Sequence, residues 1–326
     1  MEKSSMSRLM LIVFIALELS YYLLIVQTGI VEYFSSDIFL IAPLPIGGII
    51  GSLLSFYIKA NNQNKITFFL TLQLLLSFLY PNLSQMMLFV LGISAGALAP
   101  LMINELKKAK FIDLGIALSI SYTIGTLLFN YEASQRGTLA IVLSSIILIS
   151  SMFLPKTILQ ESTDDSHSLS LMLLWVFLDS ALFESLSRDL IIPIWRSGFS
   201  YEIAFFHIVG IVLAVGIKMP KKKKELLIAS LFTLSYLFYF LQEAYILSAI
   251  YPIVISYYNI TILQSLLKRN LKTIGTYMIL IGWVASGIGL FVALENLIIF
   301  IPIIFSLLFL DIPKIQNIHK KEIHNV

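Results

Sequence analysis

Residues 9–30 read LMLIVFIALELSYYLLIVQTGI, an apolar run with a single acid, Glu18, inside it. A bilayer crossing takes a helix of about 20 apolar residues, because every backbone polar group must find its partner within the segment. Lys3 and Arg8 precede the run, and no basic residue follows it until Lys59. The same asymmetry continues down the chain. About twelve apolar stretches of roughly 16–25 residues alternate with short polar links, and the links alternate between lysine-bearing and lysine-free. The basic set is Lys3 and Arg8; Lys59 and Lys65; Lys107, Lys108 and Lys110; Lys156; Lys218 and Lys221 to Lys224; Lys268, Arg269 and Lys272; and Lys314, Lys320 and Lys321. It holds 19 of the 22 Lys and Arg residues, leaving out Arg136, Arg188 and Arg196. Cytoplasmic loops retain positive charge, so the set predicts the cytoplasmic face of a plasma (inner) membrane. Both termini are then cytoplasmic and the number of crossings is even.

Composition points the same way. Hydrophobic residues make up 58% of the chain and charged residues 13%, with a mean hydropathy of +0.90. The expected fold class is an all-α polytopic membrane protein, with the bilayer as its first partner. Twelve crossings and their links use the whole chain and leave no room for a soluble catalytic domain, so no enzyme activity is expected. The net charge of +3 comes from the loops. It reads as a topology signal with anionic-lipid contact, and no nucleic-acid partner is expected. There is no cysteine, which excludes disulfides and thiolate metal sites. No His/carboxylate spacing resembles a metal site, and no cofactor is implied. The first apolar run is long enough to span and lacks a small-residue cleavage site, so it reads as a first helix and not a cleaved signal.

The predicted helices of the first half run about Leu9–Ile30, Asp37–Ile58, Ile66–Tyr80, Leu83–Leu106, Phe111–Asn130 and Thr138–Leu154. A polar link, Lys156–Ser168 (KTILQESTDDSHS), has linker composition. The second half repeats the count at about Leu169–Trp195, Phe199–Ile217, Leu226–Leu241, Glu243–Leu267, Ile274–Leu294 and Leu297–Leu310. The organisation is therefore 1–155, 156–168 and 169–326. An internal repeat runs through it. GSLLSFYIK at Gly51–Lys59 matches GIVLAVGIK at Gly210–Lys218 at an offset of 159, and Leu106-Lys107-Lys108 matches Leu267-Lys268-Arg269 at 161. The second offset also carries Glu18 onto Asp179.

Six helices, a cytoplasmic linker and six more helices resemble the major facilitator superfamily. Its loop signature Gly-x-Leu-x-Asp-Arg-x-Gly survives as Gly51 and Leu53 with Lys59 beyond, while Ser55, Phe56 and Ile58 replace its Asp, Arg and second Gly. Its fourth-helix pattern survives as Gly92, Gly96 and Pro100, with Leu88 in place of Arg. The resemblance implies two halves related by a pseudo-two-fold axis around a central cavity.

A charge in hydrocarbon costs about 2.5–3.5 kcal/mol on insertion scales, so each one needs a reason. Glu18 and Asp179 fall near the middle of helices one and seven. Carboxylates at matching depth on equivalent helices can bind a cation or take up and release protons. Glu184 and Arg188, four apart on helix seven, can pair along one face. Pro193, with Asp189 before it, predicts a kink. His207, in helix eight, is a proton-relay candidate. Tyr22, Tyr251 and Tyr257 are deep enough to line a cavity for an amphipathic ligand. Gly47/Gly51 and Gly92/Gly96 predict close helix contact.

These residues point to a secondary transporter of a small organic solute working by alternating access, with coupling to protons. The alternative is a non-transporting scaffold or assembly protein derived from one. A lipid-modifying enzyme lacks any recognisable nucleophile or metal constellation.

Overall fold

Apolar runs set off by capping residues become helices, and among the described residues there is no strand. The structure is a computed structural model that describes residues 2–34, 38–155, 166–188, 192, 194–196 and 198–305. The predicted helix start at Asp37, the linker at 156–165, the kink at Asp189 and Pro193, and Lys314, Lys320 and Lys321 lie outside those residues.

Among the described residues, eleven main helical segments follow one another. They are α1 (Ser5–Tyr33) and α2 (Phe39–Tyr57), α3 (Asn62–Ser77), α4 (Gln85–Lys108) and α5 (Phe111–Leu128), and α6 (Gly137–Ser151). Then come α7 (Leu169–Arg188), α8 (Ser200–Gly216), α9 (Lys221–Phe240), and α10 (Ala244–Leu267) and α11 (Leu271–Leu294). A short turn at Leu297–Phe300 follows. Seven of these segments are long and apolar enough to cross a membrane: α1, α2, α4, α5, α7, α10 and α11. Large apolar side chains also face outward at helical spacing, as in Ile112, Ile116 and Ile120 of α5 and Phe205, Ile208 and Val212 of α8. A water-exposed surface does not carry such stripes on many helices at once, and lipid covers them. The chain is an all-α, membrane-embedded protein.

Local chemistry sets the helix starts. The side chains of Asn61, Ser84 and Asn270 accept from the backbone N–H three residues on and cap α3, α4 and α11. Asp113 reaches back to the Lys110 N–H at 3.0 Å and starts α5.

Among the described residues, lysine-bearing links meet one another at one end of the bundle. There Arg8 of α1 forms a bidentate ion pair with Asp113 of α5, its Nε 2.9 Å from both carboxylate oxygens. Lys65 Nζ donates to the Ser55 carbonyl and Lys107 Nζ to the Arg269 carbonyl, both at 2.7 Å. Gln63 donates to the Ser151 carbonyl, also at 2.7 Å. The opposite end is held by Tyr33 donating to Asn82 at 2.9 Å, Asn130 to Ser200 at 3.2 Å, and Arg196 to Glu32 at 2.6 Å.

Helix pairing follows a pattern. The most extensive contact is α2 on α4, followed by α7 on α11 and α8 on α10. Helix α1 packs on α5 and α6, and α7 packs on α11 and on the turn at 297–300. Helix α3 packs on α4, and α9 on α10. The main contacts between early and late helices are α5 on α8, α2 on α11 and α4 on α11.

The α2–α4 contact is backbone on backbone, as the glycine spacing predicts. A Cβ at Gly47 or Gly51 would run into the carbonyls of Phe89 or Ile93, and one at Gly92 or Gly96 into those of Leu44 or Gly48. Pro100, within α4, cannot donate to the carbonyl four residues back. That carbonyl, Gly96, instead accepts from Ser52 Oγ of α2 at 3.0 Å. Gly96→Leu is therefore expected to drive the two helices apart and lower the midpoint of thermal unfolding in detergent, at a cost above about 3 kcal/mol. Gly287→Ala, at a site with nothing within 4 Å of the added carbon, is the control and leaves the midpoint unchanged or slightly raised.

Candidate functional site

Helices α1, α4, α5, α7, α8, α10 and α11 enclose a central cavity of about 270 Å³. Its wall is mostly aliphatic and aromatic, with a few polar groups. Glu18 and Asp179 both belong to that wall, so the two acids that the repeat aligns share one cavity.

Each carboxyl has only neutral hydrogen-bond partners. Glu18, 5% exposed, accepts from Gln73 Nε2 of α3 at 2.9 Å. Asp179 Oδ2 accepts from Tyr258 Oη at 2.6 Å, and Oδ1 accepts from Tyr251 Oη at 2.8 Å. Tyr251 Oη also lies 3.0 Å from the backbone carbonyl of Asp179 itself. This geometry suits either protonation state. With the carboxylate, the Tyr251 hydrogen turns to Oδ1. With the acid, Oδ1–H donates to Tyr251 Oη, whose own hydrogen turns to the carbonyl. Rotation about one C–O bond then keeps every donor and acceptor paired.

The other predicted residues surround this centre. Glu184 is buried and lies close to Gln27, a residue of the cavity wall. Arg188, one turn on, acts on Glu184 and on Glu32 through its charge. His207 lines the cavity, with Nδ1 2.8 Å from Ser256 Oγ. Its ring lies flat on Tyr122, with centroids 4.2 Å apart and planes 6° from parallel. Tyr122 Oη in turn accepts from Asn259 Nδ2 at 2.8 Å. Tyr22 is in the wall, edge-on to Trp283 at 6.3 Å. Tyr251 and Tyr257 are fully buried behind the wall, and the tyrosine of α10 that faces the cavity is Tyr258.

Toward the lysine-poor end the cavity closes under an aromatic cluster. Phe129, Phe183 and Trp195 pack with centroids 5.3–6.2 Å apart. Arg136 and Arg196 place their guanidinium groups 5.3 and 5.4 Å from the Phe129 ring centre. Arg136, expected in an external link, is completely buried. It donates to the carbonyls of Leu24, Phe129 and Tyr131 at 2.8–3.0 Å and to Thr28 Oγ1 at 2.9 Å. That many acceptors around one planar fork is what makes a buried guanidinium tolerable. Toward the other end the wall continues through Met102, Ile103, Leu263 and Leu266.

Sequence reasoning did not single out Gln73, Gln27 or Trp195. No local pattern marks them, since their roles arise only where distant helices converge. Among the described residues no group of three or more His, Asp or Glu side chains is placed to hold a metal. The chain matches no protein-family model and no curated protein.

Tyr258→Phe removes the shortest bond to Asp179 and is expected to lower unfolding stability by about 1–3 kcal/mol. In an Asp179→Ala background the same change should cost far less. A double-mutant cycle on thermal unfolding in detergent reads the coupling, and equal losses in the two backgrounds would refute this partnership.

Proposed function

We propose that the chain is a secondary active transporter of a small organic solute, working by alternating access with coupling to protons. In this reading it crosses a plasma (inner) membrane twelve times with both termini cytoplasmic, in two six-helix halves of the major facilitator kind. The observation that carries it is the central cavity, to which equivalent helices α1 and α7 each contribute one carboxyl.

The packing pattern supports the two halves. Most pairings of α1 to α4 with one another and with α5 and α6 have a counterpart six helices later, α2 on α4 with α8 on α10 being the largest, while α3 on α6 has none of comparable extent among the described residues. The connections α5 on α8 and α2 on α11 exchange under the same operation. The gathering of lysine-bearing links at one end supports the orientation. The closure above the cavity supports alternating access. Among the described residues its exposed polar bond between the proposed halves is Arg196 to Glu32 at 2.6 Å, beside the part-buried Asn130 to Ser200 bond, and a surface ion pair of this kind is worth about 1 kcal/mol or less. It is a latch that thermal motion can open. Proton coupling is supported by the two hydrogen-bonding states open to Asp179.

The cysteine-free chain allows a test that needs no known solute. A single cysteine replacing Val176 in the cavity wall is challenged with a membrane-impermeant maleimide from each side of sealed vesicles. Labelling is expected from the lysine-rich side and, more slowly, from the other side, with the slow rate rising several-fold on adding Arg196→Ala. No labelling from the far side in either background would instead mark a static scaffold. Lys222→Cys should label from the cytoplasm alone, and labelling from outside would overturn the orientation.

A further inference from the structure

Three other buried acids among the described residues have a basic group nearby. Asp113 is paired with Arg8, and Glu105 with Lys108 at 2.5 Å. Glu184 has the charge of Arg188 one turn away. Glu18 and Asp179 differ: their hydrogen-bond partners are an amide and two phenols. Among the described residues no Lys or Arg belongs to the cavity wall. As carboxylates they leave the cavity negative, and a charge in a low-dielectric site calls for a counter-charge.

The rest of the wall fits an organic cation. Tyr22, Tyr122, Tyr258, Phe183 and Trp283 present aromatic surface to the cavity, and aromatic faces attract ammonium groups. Phe129, on the same wall, already receives two guanidinium groups. A separate observation concerns Trp195. It lines the cavity and is 4% exposed, and its indole Nε1–H finds no acceptor among the described residues. An orphaned buried donor needs an explanation, and a ligand oxygen supplies one.

We propose that the cavity binds a monovalent organic ammonium ion carrying an oxygen acceptor, with Asp179 and Glu18 as counter-charge and Trp195 Nε1 as donor to the oxygen. This rests on the transporter reading and names its substrate class. The aromatic wall supplies the fit around the cation, and the single orphaned donor selects among cations of similar shape.

The test uses three isosteric probes with the purified full-length protein, read by thermal stabilisation and calorimetric titration. Acetylcholine carries both features. Pentyltrimethylammonium keeps the charge and lacks the oxygens. 3,3-Dimethylbutyl acetate keeps the oxygens and lacks the charge. Acetylcholine is expected to bind best, pentyltrimethylammonium at least several-fold more weakly, and the neutral ester not measurably. Trp195→Phe should reduce acetylcholine binding to the level of pentyltrimethylammonium and leave the latter unchanged. Asp179→Asn should weaken both cations at least tenfold, and Asp179→Glu should restore most of that loss, which guards against a folding defect. Binding of the neutral ester as tightly as of acetylcholine, or no binding of either cation at millimolar concentration, would overturn the proposal. The cysteine-accessibility experiment uses no ligand. A chain that alternates without binding cations fails on substrate class alone, and one that binds cations without alternating fails on transport alone.

Discussion

Hydrocarbon offers no hydrogen bonds, so a membrane-embedded chain must pair its polar groups from within. That constraint runs through this structure at every scale. It makes the chain helical. It turns serine side chains back onto carbonyls one turn earlier, as in Ser20 to Ala16, Ser77 to Gln73 and Ser144 to Ala140. It buries Arg136 in a shell of carbonyls, and it brings Ser52 to the carbonyl that Pro100 leaves bare. Where so much is paired, the unpaired group stands out. The indole of Trp195 has no acceptor among the described residues, and the carboxyls of Glu18 and Asp179 have neutral hydrogen-bond partners where Asp113 and Glu105 have basic ones.

Much of the fold was legible because it depends on local pattern. Lysine placement reports which end of each helix is which, and the contacts at the two ends agree with it. Glycine pairs four residues apart report where backbones meet, since only a missing side chain permits that approach. Glu18 and Asp179, which the offset of 161 aligns, both line the central cavity. The number of crossings rests on the reading of helices too short or too polar to stand as spans by themselves, such as α3, α6 and α9.

The site was less legible because it depends on convergence. Glu32 and Arg196 are 164 residues apart in sequence, and no spacing announces their bond. Arg136 reads as a loop residue from its neighbours and becomes a buried brace because α1 passes over it. Among the tyrosines of α10, periodicity finds the buried set without saying which member faces the cavity. Tyr251 reaches Asp179 from behind the wall and Tyr258 from within it.

Residues Tyr22–Gln27 of α1 and Ile279–Ala285 of α11 form π-helical turns, and both contribute to the cavity wall. A wider turn accommodates one more residue than the α-helical path between the same neighbours. One residue corresponds to about 100° of rotation. Deleting a single residue within either turn would restore an ordinary helix and present a different side chain in place of Tyr22 or Trp283, with the packing of the outer helix ends preserved. Insertions and deletions, usually ruinous inside a buried helix, are here a route by which the shape of the cavity wall can change while the fold is kept.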